Sequence, residues 1–89
     1  MNNIQILRRA ITDLDRELLG ILNKRGQIVR KIGTEKKKLN LNIYDSKRED
    51  ELLTKLKDSN NGPYSSQMIE EIFKCIFKFS KDLQKTENY

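Results

Sequence analysis

The chain has 89 residues with 18 Lys+Arg against 13 Asp+Glu, a formal charge of +5, no His, no Trp, one Cys and one Pro. One domain is the ceiling at this length; the missing His excludes Ser-His-Asp and Cys-His nucleophiles and the commonest zinc sites, and the lone Cys75 excludes an internal disulfide. There is no Gly-rich phosphate loop, signal core or membrane-length apolar run, so a cytoplasmic protein without metal or cofactor is expected, its surplus charge meeting nucleic acid, an anionic surface or a small polyanion.

Apolar residues fall at helical spacing throughout. Ile4, Leu7, Ile11, Leu14, Leu18, Ile21, Ile28 and Ile32 climb in steps of three and four, predicting one helix from about residue 3 to about 38. Gly20, Gly26 and Gly33 weaken it without ending it. Such a helix is a rod of about 54 Å. A compact chain of this size has a radius of gyration near 12 Å. Two short helices cover only part of the ladder, so a second copy packed antiparallel is expected to cover the rest.

The second helix starts near Ser46. Tyr44-Asp45-Ser46 supplies capping residues, and Ser46-x-x-Glu49 reads as a capping box. Leu52, Leu53 and Leu56 give it a narrow apolar face. Asp58-Ser59-Asn60-Asn61-Gly62-Pro63 is the strongest turn signal in the chain. The third helix is expected from about Ser65 to about Lys85, with Met68, Ile69, Ile72, Phe73, Ile76, Phe77 and Leu83 on its apolar face. Residues 85–89 carry no pattern and read as a tail or the start of a linker. The expected architecture is a single all-α domain over 1–89. One long, one short and one medium helix form an intertwined six-helix homodimer.

Polar residues interrupt the apolar stripes. Arg25 occupies the rung after Ile21, either snorkelling to water or facing an anion. Lys36 lies eleven positions on and returns to within about 20° of Arg25 around the helix, so two cations share a stripe. Like charges facing an interior need an anion near them. Arg8 points about 100° away and reads either as a solvated residue or as one directed to a partner chain's Arg25. Ser80 and Gln84 sit below Phe73, Ile76 and Phe77, as a fraying helix end or as hydrogen-bonding groups in a polar pocket. Asp45 and Glu49 fit capping and helix-dipole roles, Arg48 with Leu52 four positions on has its stem on the apolar side, and all three can also line a ligand site. Cys75 borders the apolar face and reads as a small buried hydrophobe, with no base nearby to activate it.

Together these residues resemble the all-helical (AroQ-type) chorismate mutases. The matching text is Leu7-Arg8 with Ile11, Leu14-Asp15, Leu18-Leu19, Arg25, Gly33-x-x-Lys36, Asp45-x-x-Arg48-Glu49 and Ser80-x-x-x-Gln84. The resemblance implies rearrangement of chorismate to prephenate, a [3,3] shift with no proton transfer, which suits a chain without His. It implies that Arg25 and the partner chain's Arg8 bind the two carboxylates, with Ser80 adding a hydrogen bond. Asp45 (through its backbone) and Glu49 would hold the ring hydroxyl, and Arg48 would line the site. Lys36 and Gln84 would face the ether oxygen as the C–O bond breaks. Gln84 donates at any pH, whereas a Glu there would first need protonation.

Asn60-Asn61-Gly62-Pro63-Tyr64 and Ile72-Phe73-Lys74 resemble the version fused to the N-terminus of DAHP synthase in Gram-positive bacteria. That setting implies a regulatory module whose ligand controls the fused enzyme. Two alternatives stay open. Isochorismate-pyruvate lyases resemble the same architecture. A basic helical module for nucleic acid or protein is the other, although the chain has only six aromatic residues and Phe73, Phe77 and Phe79 are expected mostly in the core.

Overall fold

The computed structural model describes residues 2–85. It contains three helices, α1 (Asn3–Lys38), α2 (Ser46–Ser59) and α3 (Ser66–Lys85), and no strand among those residues. Lys85, the first residue of the expected tail and the last of the expected third helix, lies in α3; residues 86–89 of that tail lie outside the described residues.

The helix ends are built by local chemistry. Asn2 caps α1: its side chain accepts from the Gln5 N–H, and the Gln5 side chain accepts from the Asn2 N–H. The end of α1 places Lys36, Lys37 and Lys38 against the negative end of the helix dipole. Asn40 then turns left-handed at φ 56°, and the Leu41 N–H closes on the Lys36 carbonyl at 2.8 Å. Asp45, rather than Ser46, caps α2, with its carboxylate accepting from the Arg48 N–H at 3.0 Å. The expected Ser46–Glu49 box gives way to this one-way cap one residue earlier. At the second turn Asn60 accepts from the Gly62 N–H and donates to the Tyr64 carbonyl, while Gly62 adopts φ 92°. Ser65 accepts from the Met68 N–H and starts α3.

Helix α3 packs against both α1 and α2, whereas α1 and α2 make no close backbone approach to each other among the described residues. The α1 surface that meets α3 carries Arg25, Gly26, Val29 and Gly33. It shares one rung of the ladder, Arg25, and otherwise lies beside it: Val29 is 7% exposed and Ile28 58%. Ile28 stays exposed, whereas Ile32 edges the cavity described below. Gly33 permits the closest helix–helix approach, since a Cβ there would stand 3.0 Å from Gln84 Cα. Phe77 and Leu53 complete the small core. Burying Phe77 contributes about 2–3 kcal/mol. Lys57 of α2 and Lys74 of α3 both pair with Glu70, joining the two short helices.

The molecule measures 56 × 30 × 15 Å, with a radius of gyration of 16.4 Å. The long axis matches a 36-residue rod. Every residue from Asn2 to Lys24 is exposed. Ile4, Leu7, Ile11, Leu14, Leu18 and Ile21 thus present one uncovered apolar face within the single chain. No helix of the described residues is long and apolar enough to cross a membrane. Cys75 and Phe79 are exposed, so neither takes the core position expected for it. Each lies on the side of α3 away from Phe77 and Ser80.

Candidate active site

The three helices and the α1–α2 linker enclose a cavity of about 270 Å³. That is just below the usual ~300–1,000 Å³ of drug-sized ligand clefts, a scale suited to a small molecule. Arg25 and Lys36 line it from α1, three turns apart on one stripe, as the sequence spacing requires. Asp45, Arg48 and Glu49 line it from the start of α2, and Ser80, Lys81 and Gln84 from α3. Val29, Ile32, Ile43, Leu52 and Phe77 supply the apolar wall.

Arg25 is anchored on two sides. Its Nη1 donates to Ser80 Oγ at 2.6 Å, and the guanidinium lies 5.9 Å from the centre of the Phe77 ring. Ser80 is buried, and its own hydroxyl donates to the Ile76 carbonyl at 2.7 Å. The serine therefore accepts from the arginine and spends its proton on α3's backbone. Burial lowers the Arg25 pKa, and the group remains a cation at neutral pH. Lys36 Nζ donates to the Ile43 carbonyl at 2.9 Å, tying α1 to the linker.

Gln84 is half-buried between Gly33 and the cavity. Its Nε2 makes a 3.4 Å contact to the Ser80 carbonyl, and its buried Oε1 has no partner. A half-turn of the amide exchanges the two atoms: it puts an N–H donor at the unpartnered position and turns Oε1 toward the Ser80 carbonyl.

The Asp45 carboxylate is committed to capping, and its backbone carbonyl accepts from the Glu49 N–H at 3.1 Å. Arg48 is exposed at the mouth, and Glu49 is half-buried. The sequence reading missed Lys81. Its Nζ stands 3.5 Å from Glu49 Oε2 and 4.7 Å from the centre of the Tyr44 ring. A lysine one position past Ser80 looks like a solvated residue in any helical wheel, so only the packing of α2 against α3 reveals it. Four cations and two carboxylates around one cavity leave it net positive, suited to a small polyanion.

Arg8 does not line this cavity. It precedes Arg25 by seventeen residues, about 25 Å along the same helix, and is exposed. No group of three or more His, Cys, Asp or Glu among the described residues could hold a metal ion.

Residues 7–85 match the sequence profile of the family described as chorismate mutase type II. A solved structure of chorismate mutase from Thermus thermophilus is similar over 99% of this chain and 100% of its own, with 40% identity and a TM-score of 0.95. The Helicobacter pylori chorismate mutase, solved in complex with prephenate, is similar over 94% of this chain and 91% of its own, with 31% identity and a TM-score of 0.88. A bifunctional chorismate mutase/prephenate dehydratase of Aquifex aeolicus is 30% identical over 96% of this chain. The chain spans about a quarter of that relative's length, 25%. With the fold, the cavity and the matched residues in agreement, the chain belongs to the chorismate mutase type II family.

Proposed function

We propose that this cavity rearranges chorismate to prephenate. The observation that carries the reading is the convergence of Arg25, Lys36 and Arg48 with Gln84 on one small net-positive cavity. The prephenate in the similar Helicobacter pylori structure, a dicarboxylate, supports that ligand class here. One C–O bond breaks and one C–C bond forms within the same molecule, so no proton leaves or arrives. The step needs no base.

Arg25, oriented by Ser80 and Phe77, clamps a carboxylate and holds the folded reactive conformer. Glu49 and the Asp45 backbone take the ring hydroxyl, and Arg48 lines the mouth. Lys36 and the rotated Gln84 amide face the ether oxygen. Negative charge grows there as the C–O bond lengthens, so both contacts strengthen in the transition state and accelerate the step.

Arg8 enters as a residue of a second copy. Its distance from its own Arg25 bars it from the same cavity, and the bare apolar face of α1 gives a second copy its docking surface. In an antiparallel pair each Arg8 approaches the other chain's Arg25, and the second carboxylate gains its clamp. A regulatory link to DAHP synthase rests on the Asn60–Tyr64 turn and Ile72-Phe73-Lys74 alone. The fused Aquifex aeolicus relative instead carries prephenate dehydratase.

The test is loss of chorismate absorbance by purified protein, with Arg25→Ala and Lys36→Ala alongside. Each substitution should lower kcat/KM by about a hundredfold or more. Turnover surviving both would overturn the site. For the shared Arg8, Arg8→Ala and Arg25→Ala chains are mixed in equal amounts after unfolding. Mixed dimers carry one intact site in two, so about a quarter of wild-type activity should return. No recovery would remove Arg8 from the site.

A further inference from the structure

We propose that Lys81 is a positioning residue of the cavity, fixing the Glu49 carboxylate and, through Tyr44, the linker that walls the site. Three elements meet at its ammonium. Lys81 belongs to α3, Glu49 to the first turn of α2, and Tyr44 to the linker. The ammonium stands 3.5 Å from Glu49 Oε2 and 4.7 Å from the Tyr44 ring centre. Both side chains of the ion pair are largely shielded, 29% and 27% exposed, so the pair is less screened than one on the open surface.

The linker is held from two sides. Lys36 of α1 binds the Ile43 carbonyl, and Lys81 of α3 lies against the next residue, Tyr44. Asp45 follows directly and caps α2. The stretch that presents the Asp45 backbone to the cavity is thus pinned by two lysines on different helices.

Charge gives Lys81 a second consequence. Glu49 lines a cavity that takes a dianion, and an uncompensated carboxylate there repels the ligand. Lys81 cancels that charge and leaves Glu49 able to accept from a hydroxyl. This assignment rests on the reading of the cavity as a dicarboxylate site.

The experiment compares wild type, Lys81→Met, Lys81→Arg, Glu49→Gln and the Lys81→Met/Glu49→Gln pair, by chorismate turnover and by calorimetric binding of prephenate. Lys81→Met keeps the stem and removes the charge. It should raise KM and weaken prephenate binding about tenfold, with kcat within about twofold, because the repulsion acts on ground state and transition state alike. Lys81→Arg should restore most of the loss. Glu49→Gln still accepts from a hydroxyl and carries no charge, so in its background Lys81→Met should cost little. Unchanged KM in Lys81→Met, or losses that add in the double variant, would overturn the proposal while leaving the cavity reading intact. A wild-type chain that neither turns over chorismate nor binds prephenate would overturn the cavity reading, and this assignment with it.

Discussion

The Arg25 guanidinium donates to the Ser80 hydroxyl at 2.6 Å, joining two positions 55 residues apart in the chain. Because the Ser80 proton goes to the Ile76 carbonyl, the serine meets the arginine with a lone pair in a fixed direction. The serine is thereby placed to aim Arg25. A hydrogen bond to a charged group contributes about 1.5–3 kcal/mol. Ser80→Ala should therefore lower kcat/KM by about ten- to a hundredfold. Circular dichroism should show an unchanged helix content. Full activity in that variant would mean that Phe77 and the α1 backbone hold Arg25 unaided.

Gly33 and Gly26 make a controlled pair. A Cβ at Gly33 meets the backbone of Gln84 at 3.0 Å and its Cβ at 3.1 Å, so α3 itself must move. At Gly26 the neighbour is only the end of the Leu83 side chain, at 3.3 Å, which can swing away. Gly33→Ala should cost about 1–3 kcal/mol by overpacking and depress kcat through the displaced Gln84. Gly26→Ala should be near neutral, since alanine's better helix propensity, up to about 1 kcal/mol, offsets a mild contact. Thermal melts and turnover of the two variants check this. Equal melting temperatures would contradict the close approach at Gly33.

The role proposed for Gln84 at the ether oxygen predicts a pH response. An amide donates at every pH, so kcat should not require acid conditions. Gln84→Glu should retain activity only where the carboxyl is protonated, rising steeply below about pH 5.5. A wild-type rate that itself rose only in that range would remove Gln84 from the ether oxygen.

Glu70 sets a different pH response, one of stability. Hydrogen bonds from Lys57 and Lys74, with their charges, hold its pKa below the ordinary 4.5. The unfolded chain thus binds a proton at higher pH than the folded chain does. The contribution is full above the ordinary value and is lost as pH falls through the lower folded value. Glu70→Gln should lower the melting temperature at pH 7, and the gap to wild type should close in acid. A gap that persisted well below pH 4 would assign the effect to packing, not to charge.

Much of this was legible in the chain. Periodicity gave α1 its limits and put Arg25 and Lys36 on one stripe, because 3.6 residues per turn determines which side chains share a face. Periodicity does not say which face meets which helix. The Ile ladder was the stronger signal on α1, yet α3 packs beside it, on Val29 and Gly33, where small residues allow close approach. Cys75 and Phe79 were misplaced for the same reason. The α1 cap lies in Asn2-x-x-Gln5, outside the apolar pattern; of the capping residues legible before α2, Asp45 is the one used, because its carboxylate reaches the Arg48 N–H. Lys81 left no trace in the pattern, since a lysine that crosses between helices looks like one that points to water.

The bare first half of α1 ties stability to whatever covers it. A helix whose apolar side has no cover in its own chain draws little support from that chain's fold. Whatever covers it acts as a ligand of the native state. At a hundred times its dissociation constant such a ligand adds about 2.7 kcal/mol. If the cover is a second copy, dilution alone loosens the fold, and a melting temperature holds only at the concentration where it was measured.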